Sequence, residues 1–480
     1  MTFLPPDCYL RWRVGRPVSP VLAEPGVAGR PNEQLLQQVW RHQRLQPERL
    51  KTFDGRRITV LHPGFWNREA GPDFRDALFQ IEGEEPLSGD VEIDLQPQGW
   101  TQHGHAGNPD FRSVRLHVVW EGNTPAGGAI PTLRLEGTLD ASLEALAGWL
   151  ADHAEDGLPC GQQGACAGPL ARLGAEDRQA LLEQAGLVRL TLKADRIRAR
   201  AQQAGWQAAL WETLFAALGY KHNPWPMRRI AGLLPRISAG RPDLTGWQAR
   251  LLGVSGLLPA DLSGTRPRTR QYLRRVWDQW WRERTAFEDV VLPRAAWRLG
   301  GVRPANHPQR RLALAAHWLQ REDLPGVLER WLLEELPQTR LATSLEERLR
   351  PGRDKFWEHH WTLNAPFQEE PSVLLGRTRL TDLAVNAFLP WLWCRADAGV
   401  QAGLRRRVEE RHRLWPAAQD NAVLRLARQR ILPGIPMPQP LRSVHQQGLL
   451  QIVRDFCARS DARCTGCPLP GRLASLPLEG

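Results

Sequence analysis

The sequence predicts an α+β protein: an N-terminal α/β core, then a large all-helical domain closed by a C-terminal cysteine cluster. Three observations carry this. Between residues 57 and 120, stretches with period-two alternation are punctuated by Gly and Pro. From about Ala141 the apolar spacing turns helical and stays so, with breaks at Pro and Gly clusters. Near the end of the chain three cysteines crowd together as Cys457-x6-Cys464-x2-Cys467.

Taken in order, residues 1–31 are Pro- and Gly-rich and read as an extended arm, 32–135 as the α/β core, 136–440 as the helical domain and 441–480 as a cysteine-cluster tail. The core opens with a helix. Asn32 is a suitable N-cap, Glu33 lies in the first turn where negative charge is favoured, and Leu35, Leu36, Val39 and Trp40 share one face. Strands follow at 57–61, 77–82, 89–95 and 114–120. In the third, Val91, Ile93 and Leu95 share one face and Asp90, Glu92 and Asp94 the other, because side chains alternate along a strand. In the fourth, His117 points away from Val114, Leu116 and Val118, as a satisfied half-buried histidine rather than a ligand. Helices are expected at 181–203, 206–218, 271–285, 308–319, 380–394 and 404–410. The Trp-rich segment around Trp280 suits helix contacts rather than base stacking.

At 480 residues the chain exceeds what one core usually supports. No apolar run approaches the roughly 20 residues of a membrane helix, and the N-terminus lacks a secretory signal pattern, so a cytoplasmic protein without membrane association is expected. The net charge of +11 suits nucleic acid as a partner. Nearly all the basic charge is Arg, however, which codon usage in a GC-rich genome explains equally well. Seven cysteines, an odd number, argue against a disulfide framework. Nothing in the sequence sets the oligomeric state.

Asp73 ends the tight element AGPDF just before a strand, and Glu92 and Asp94 share a strand face 19 residues on. Hard carboxylate oxygens on neighbouring strands suit Mg or Mn, which neutralises a scissile phosphate and activates a water. The metal ligands expected are therefore Asp73 and Glu92, with Asp94 or Glu33 supporting. His103 and His105 follow at once, with Gly104 letting the chain bend, and suit work at the water or the leaving group. The plain alternative is a solvated acidic strand face followed by a polar turn. At the C-terminus, Cys457, Cys464 and Cys467 suit a 4Fe-4S cluster or Zn, with a fourth ligand from Cys160, Cys166, Cys8, Cys394 or His445; three reduced thiols in a tail are the alternative.

The run Glu33, Pro72-Asp73 and Glu92-Ile93-Asp94 resembles the PD-(D/E)xK nuclease superfamily, with Asp94 in the place of the lysine. The resemblance implies a restriction-endonuclease-like core in which Asp73 and Glu92 hold the metal. The cysteine spacing resembles the iron–sulfur loop of endonuclease III-type DNA glycosylases, with Leu473 where their fourth cysteine stands. Over nearly its whole length the chain resembles a bacterial family, domain of unknown function 2851. The matching motifs include Asn67-x-x-Ala-Gly-Pro-Asp-Phe74, Gly89-Asp-Val-Glu-Ile93, Trp100-x-x-His-x-His105, Arg303-Pro-x-Asn306 and Gln447-Gly-x-x-Gln-Ile452. That family implies no activity. Three functions stay open: a divalent-metal-dependent nuclease or nucleic-acid-processing protein; a non-catalytic nucleic-acid- or protein-binding scaffold on a degenerate nuclease core; and a small-molecule metalloenzyme, which needs an enclosed pocket at His103 and His105.

Overall fold

The computed structural model describes residues 4–14, 31–67, 71–123, 130–144, 146, 164–220, 222–262, 266–300, 302–321, 323–399, 402–420, 422–457, 464 and 467–476. The chain divides into a sheet unit, Arg16–Gly157, and a helical unit made of Met1–Gly15 with Leu158–Gly480. Among the described residues no helix is long and apolar enough to cross a membrane.

The sheet unit begins with α1 (Glu33–His42), capped by the Asn32 side chain, which accepts from Leu35 N at 2.8 Å. Its strands are β1 (Ile58–His62), β2 (Phe65–Trp66), β3 (Phe74–Ile81), β4 (Leu87–Asp94), β5 (Val114–Val119) and β6 (Thr132–Arg134). They form one sheet in the order β1-β3-β4-β5-β6, with β2 also on β3. β1, β3 and β4 are antiparallel, whereas β5 and β6 run parallel to β4 and to each other. One face packs Phe79, Val91, Ile93, Leu116 and Val118 against Leu36, Val39 and Trp40 of α1. Each such side chain contributes on the order of 2 kcal/mol through burial. Leu95, expected on that face, lies past the end of β4 and is exposed.

The helical unit is organised on α4 (Ala175–Ala204), against which α7 (Ser443–Asp455) packs. Gly448 permits the close approach: a Cβ there would sit 1.9 Å from the Leu182 carbonyl oxygen. Residues 443–455 are thus part of the helical core rather than of a separate tail. The arm reading of 1–31 also needs correction in its described part. Cys8–Val14 is a helix whose Tyr9 is buried and whose Tyr9 hydroxyl donates to Asp455 Oδ2 at 2.9 Å. Residues 1–3 and 15–30 lie outside the described residues.

The single helix expected at 380–394 is Arg377–Leu383, a π-helical stretch Ala384–Phe388 and α5 (Leu389–Ala398). The cause is Pro390. In a π turn the Val385 carbonyl looks to residue 390 for a donor, and proline has none. Lys193 Nζ takes that place, donating to Val385 O at 3.1 Å and to Asn386 Oδ1 at 2.7 Å.

Candidate metal centre

The centre lies in the sheet unit and is assembled by strand register. Phe74 pairs with Val91, so Asp73, just before β3, lies beside Glu92 of β4. Asp73 N donates to Glu92 Oε2 at 3.1 Å, and Ile93 N donates to Asp73 Oδ2 at 3.0 Å. From α1, Gln37 Nε2 donates to Asp73 Oδ1 at 2.9 Å, and Glu33 lies one turn earlier. On the other side of β4, the parallel register sets Glu92 opposite His117, and His117 Nε2 is 2.8 Å from Asp94 Oδ2. His117 is buried and partnered, as the sequence suggested.

The acidic face is not solvated. Glu92 is 6% exposed and Asp94 1%. The segment after β4 roofs them over: α2 (Gly99–Gln102), then single turns at His105–Gly107 and Pro109–Phe111. Two local features hold the roof down. Gly99 lies so close to Asp94 that a Cβ would stand 2.3 Å from Oδ1. Trp100 and Phe111 are buried together, and the His105 ring stacks on Phe111 at 4.0 Å between centroids. The stacked ring brings His105 Nε2 to 3.1 Å from Glu92 Oε1, and His103 Nδ1 reaches 3.1 Å from Asp94 Oδ1.

Asp94, His103 and His105 each present a ligand atom within 4.8 Å of the other two. Asp94 Oδ1 and His105 Nε2 are buried, yet neither makes a well-formed hydrogen bond. Buried polar atoms are ordinarily satisfied. Ligands around an octahedral cation at ~2.1 Å stand about 3 Å apart, and two pairs here match it, His103 Nδ1 with Asp94 Oδ1 and His105 Nε2 with Glu92 Oε1. Burial lowers the pKa of His105 despite the opposing charge of Asp94, so its ring is neutral with a lone pair to offer. Burial is also the largest cause that raises the carboxyl pKa of Asp73, of Glu92 and of Glu33. Their mutual repulsion and Asp94 add to it. A divalent cation relieves both penalties.

All six residues singled out in the sequence, Glu33, Asp73, Glu92, Asp94, His103 and His105, come together here. The compact donor set is Asp94 with the two histidines, whereas the expected metal pair Asp73 and Glu92 lies alongside, tied to backbone N–H groups. Asp90 is on the same strand face but is used for the fold. It accepts from Asp76 N at 2.9 Å and from the Ser113 hydroxyl, fixing a bulge where Asp76 has φ +55°. Gln37 escaped the sequence reading, although its place four residues after Glu33 puts both on one helix face. Trp100 and Phe111 as the clamp on His105 escaped it too.

The polar spots of the helical unit resolve differently. Arg311, at the start of the helix Pro308–Gln320, is buried and donates to Leu374 O and Asn306 Oδ1. Asn223 pairs both ways with the backbone of Arg298. Arg189 and Lys193 converge on Gln447. These side chains hold helices together.

The chain belongs to the family described as protein of unknown function (DUF2851), whose model matches residues 33–418. No curated protein and no solved structure matches it.

Proposed function

We propose that this member of a family of unknown function is a divalent-metal-dependent phosphodiester hydrolase, a nuclease whose centre is built on β4. The observation that carries the reading is the pair of buried atoms, Asp94 Oδ1 and His105 Nε2, that lack hydrogen bonds and face His103 and Glu92 at 3.1 Å. Asp94, His103 and His105, two imidazoles with one carboxylate, would hold Mn rather than Mg, with Glu92 beside them. When bound, such an ion neutralises the scissile phosphate and lowers the pKa of its water. Asp73, whose carboxyl pKa burial raises to about 7, is suited to take a proton from the attacking water near neutral pH. His117 fixes the second oxygen of Asp94 and so orients the carboxylate.

The order Glu33, Pro72-Asp73, Glu92-x-Asp94 resembles the PD-(D/E)xK pattern with Asp94 in the place of the lysine, and His103 and His105 would take over the lysine's work at the water. His103 is 51% exposed on its side chain, so the centre opens to solvent on that side. An open side favours a polymeric substrate over an enclosed small molecule. The chain's +11 charge is consistent with a polyanion.

The test is cleavage of plasmid DNA, single-stranded DNA and RNA by the full chain with Mn²⁺. Asp94→Asn, His105→Ala and Glu92→Gln are expected to lower the rate by at least ~100-fold while circular dichroism stays unchanged. Undiminished cleavage in these variants would defeat the assignment. One observation favours the scaffold reading: Asp94 replaces the lysine of the pattern. Stoichiometric Mn²⁺ binding without turnover on any of the three substrates would select it.

A further inference from the structure

We infer that Cys166, Cys457, Cys464 and Cys467 together hold a thiolate-bound metal centre that fastens the C-terminal end of the chain to the start of the helical unit. The inference is independent of the nuclease reading, because none of the sheet-unit residues takes part. The spacing Cys457-x6-Cys464-x2-Cys467 supplies three sulfurs, and a closed thiolate site needs four ligands. The fold brings the fourth from the far end of the unit.

Cys166 stands immediately before α3 (Ala167–Arg172), Cys457 two residues after α7, and Cys467 just before α8 (Leu469–Ala474). Cys166 is 4% exposed and Cys457 5%, and Cys467 packs against the same apolar cluster. Gly164 N, two residues before Cys166, donates to Arg430 O at 2.8 Å, which ties the Cys166 segment to the residue that binds Cys464. All four cysteines are unbridged. Cys467 N donates to Cys464 O at 3.1 Å, closing a turn that sets the two thiols, and Cys464 adopts φ +59° to make it.

The second observation is Arg430. Its guanidinium donates to Cys464 Sγ at 3.0 Å and also hydrogen-bonds Cys457. Four thiolates around a divalent ion, or around an iron–sulfur cluster, leave net negative charge. A cation aimed at two of the sulfurs balances it. The rival fourth ligands are engaged elsewhere. Cys394 donates to Trp391 O within its own helix, and His445 uses its ring nitrogens on Arg442 N and Glu183. Cys8 shares the apolar cluster, but its charged neighbours are Arg11 and Asp7 of its own helix turn rather than the C-terminal thiols. Cys160 lies outside the described residues.

Three buried thiols in a tail would be ordinary core residues. Four thiols drawn from loops separated by most of the unit, with an arginine on two of them, form a ligand set. Closing so long a loop restricts the unfolded chain, so the centre stabilises the whole helical unit.

The experiment is metal analysis with an ultraviolet–visible spectrum of the full chain purified without oxygen, beside Cys166→Ser, Cys394→Ser and Asp94→Asn. The expected result is a stoichiometric thiolate-held metal in the wild type. About four irons with absorption near ~400 nm identify an iron–sulfur cluster. About one colourless zinc identifies a tetrahedral zinc site. Cys166→Ser should lose most of the metal and melt several degrees lower, while Cys394→Ser and Asp94→Asn keep the metal. Wild-type protein with neither iron nor zinc would overturn the inference without reference to any variant. Full metal content in soluble Cys166→Ser would remove Cys166 from the site.

Discussion

Both units bury charge, and Arg310 in one and Asp94 in the other are treated in opposite ways. In the helical unit a buried cation is surrounded by acceptors: Arg310 donates to the carbonyls of Trp357, His360, Ser372 and Val373 and to the Ser372 hydroxyl. In the sheet unit, buried carboxylates are set against one another and against neutral histidine, and Asp94 Oδ1 and His105 Nε2 are left without hydrogen bonds. The first arrangement is complete without any added group. The second, on the function proposed above, would be completed by a cation. Burial alone therefore does not mark a functional site; the balance of donors, acceptors and like charges does.

The contrast can be broken in several places. The largest effect is expected from Arg310→Met, which leaves several buried carbonyls without donors. At roughly 1–3 kcal/mol for each unsatisfied group, a loss of about 3 kcal/mol or more is expected in urea unfolding, with Mn²⁺ binding at the sheet unchanged. Unaltered stability would show that the arginine is not structural. Next comes Gly99→Ala. Its Cβ would collide with Asp94 Oδ1, so the roof must lift, costing about 1–3 kcal/mol. Mn²⁺ affinity, read by calorimetry, should fall by an order of magnitude or more, and unaltered affinity would place the metal elsewhere.

The third prediction concerns pH. The Glu92 carboxyl pKa is raised in the folded chain, by burial first and by Asp73 next. Its contribution to stability is therefore fully present below the ordinary carboxylate pKa and is lost as pH rises through the raised value. The melting temperature of wild type relative to Glu92→Gln should fall from acid toward alkaline pH, and Mn²⁺ should reverse the fall. A difference that grows with pH would give the wrong sign. The smallest effect is expected at Asn32→Ala, where loss of the cap on α1 should cost about 1 kcal/mol in thermal unfolding.

Much of the site was legible before the fold was known, because a strand's alternation declares which residues share a face. Glu92 and Asp94 were placed together by that rule, and Asn32 announced the helix that carries Glu33 and Gln37. What covers the acids was not legible. The roof has no period: Trp100 and Phe111 are separated by polar residues and single turns, so the segment reads as a polar loop. Its glycine at 99 acquires meaning only once Asp94 is known to lie beneath it. Cys166 was one of several possible partners for the C-terminal cysteines, since contacts across most of a chain leave no trace in local spacing. The π turn was readable in principle from Pro390, but the donor that rescues Val385 comes from Lys193, on a distant helix.

Mn²⁺ titration of the full chain decides whether Asp94, His103 and His105 form a divalent-cation site. One saturable Mn²⁺ per chain, lost in Asp94→Asn and in His105→Ala and kept in Cys166→Ser, is the predicted result. Folded wild-type protein that binds no Mn²⁺, or binds it equally in the Asp94→Asn and His105→Ala variants, would contradict it.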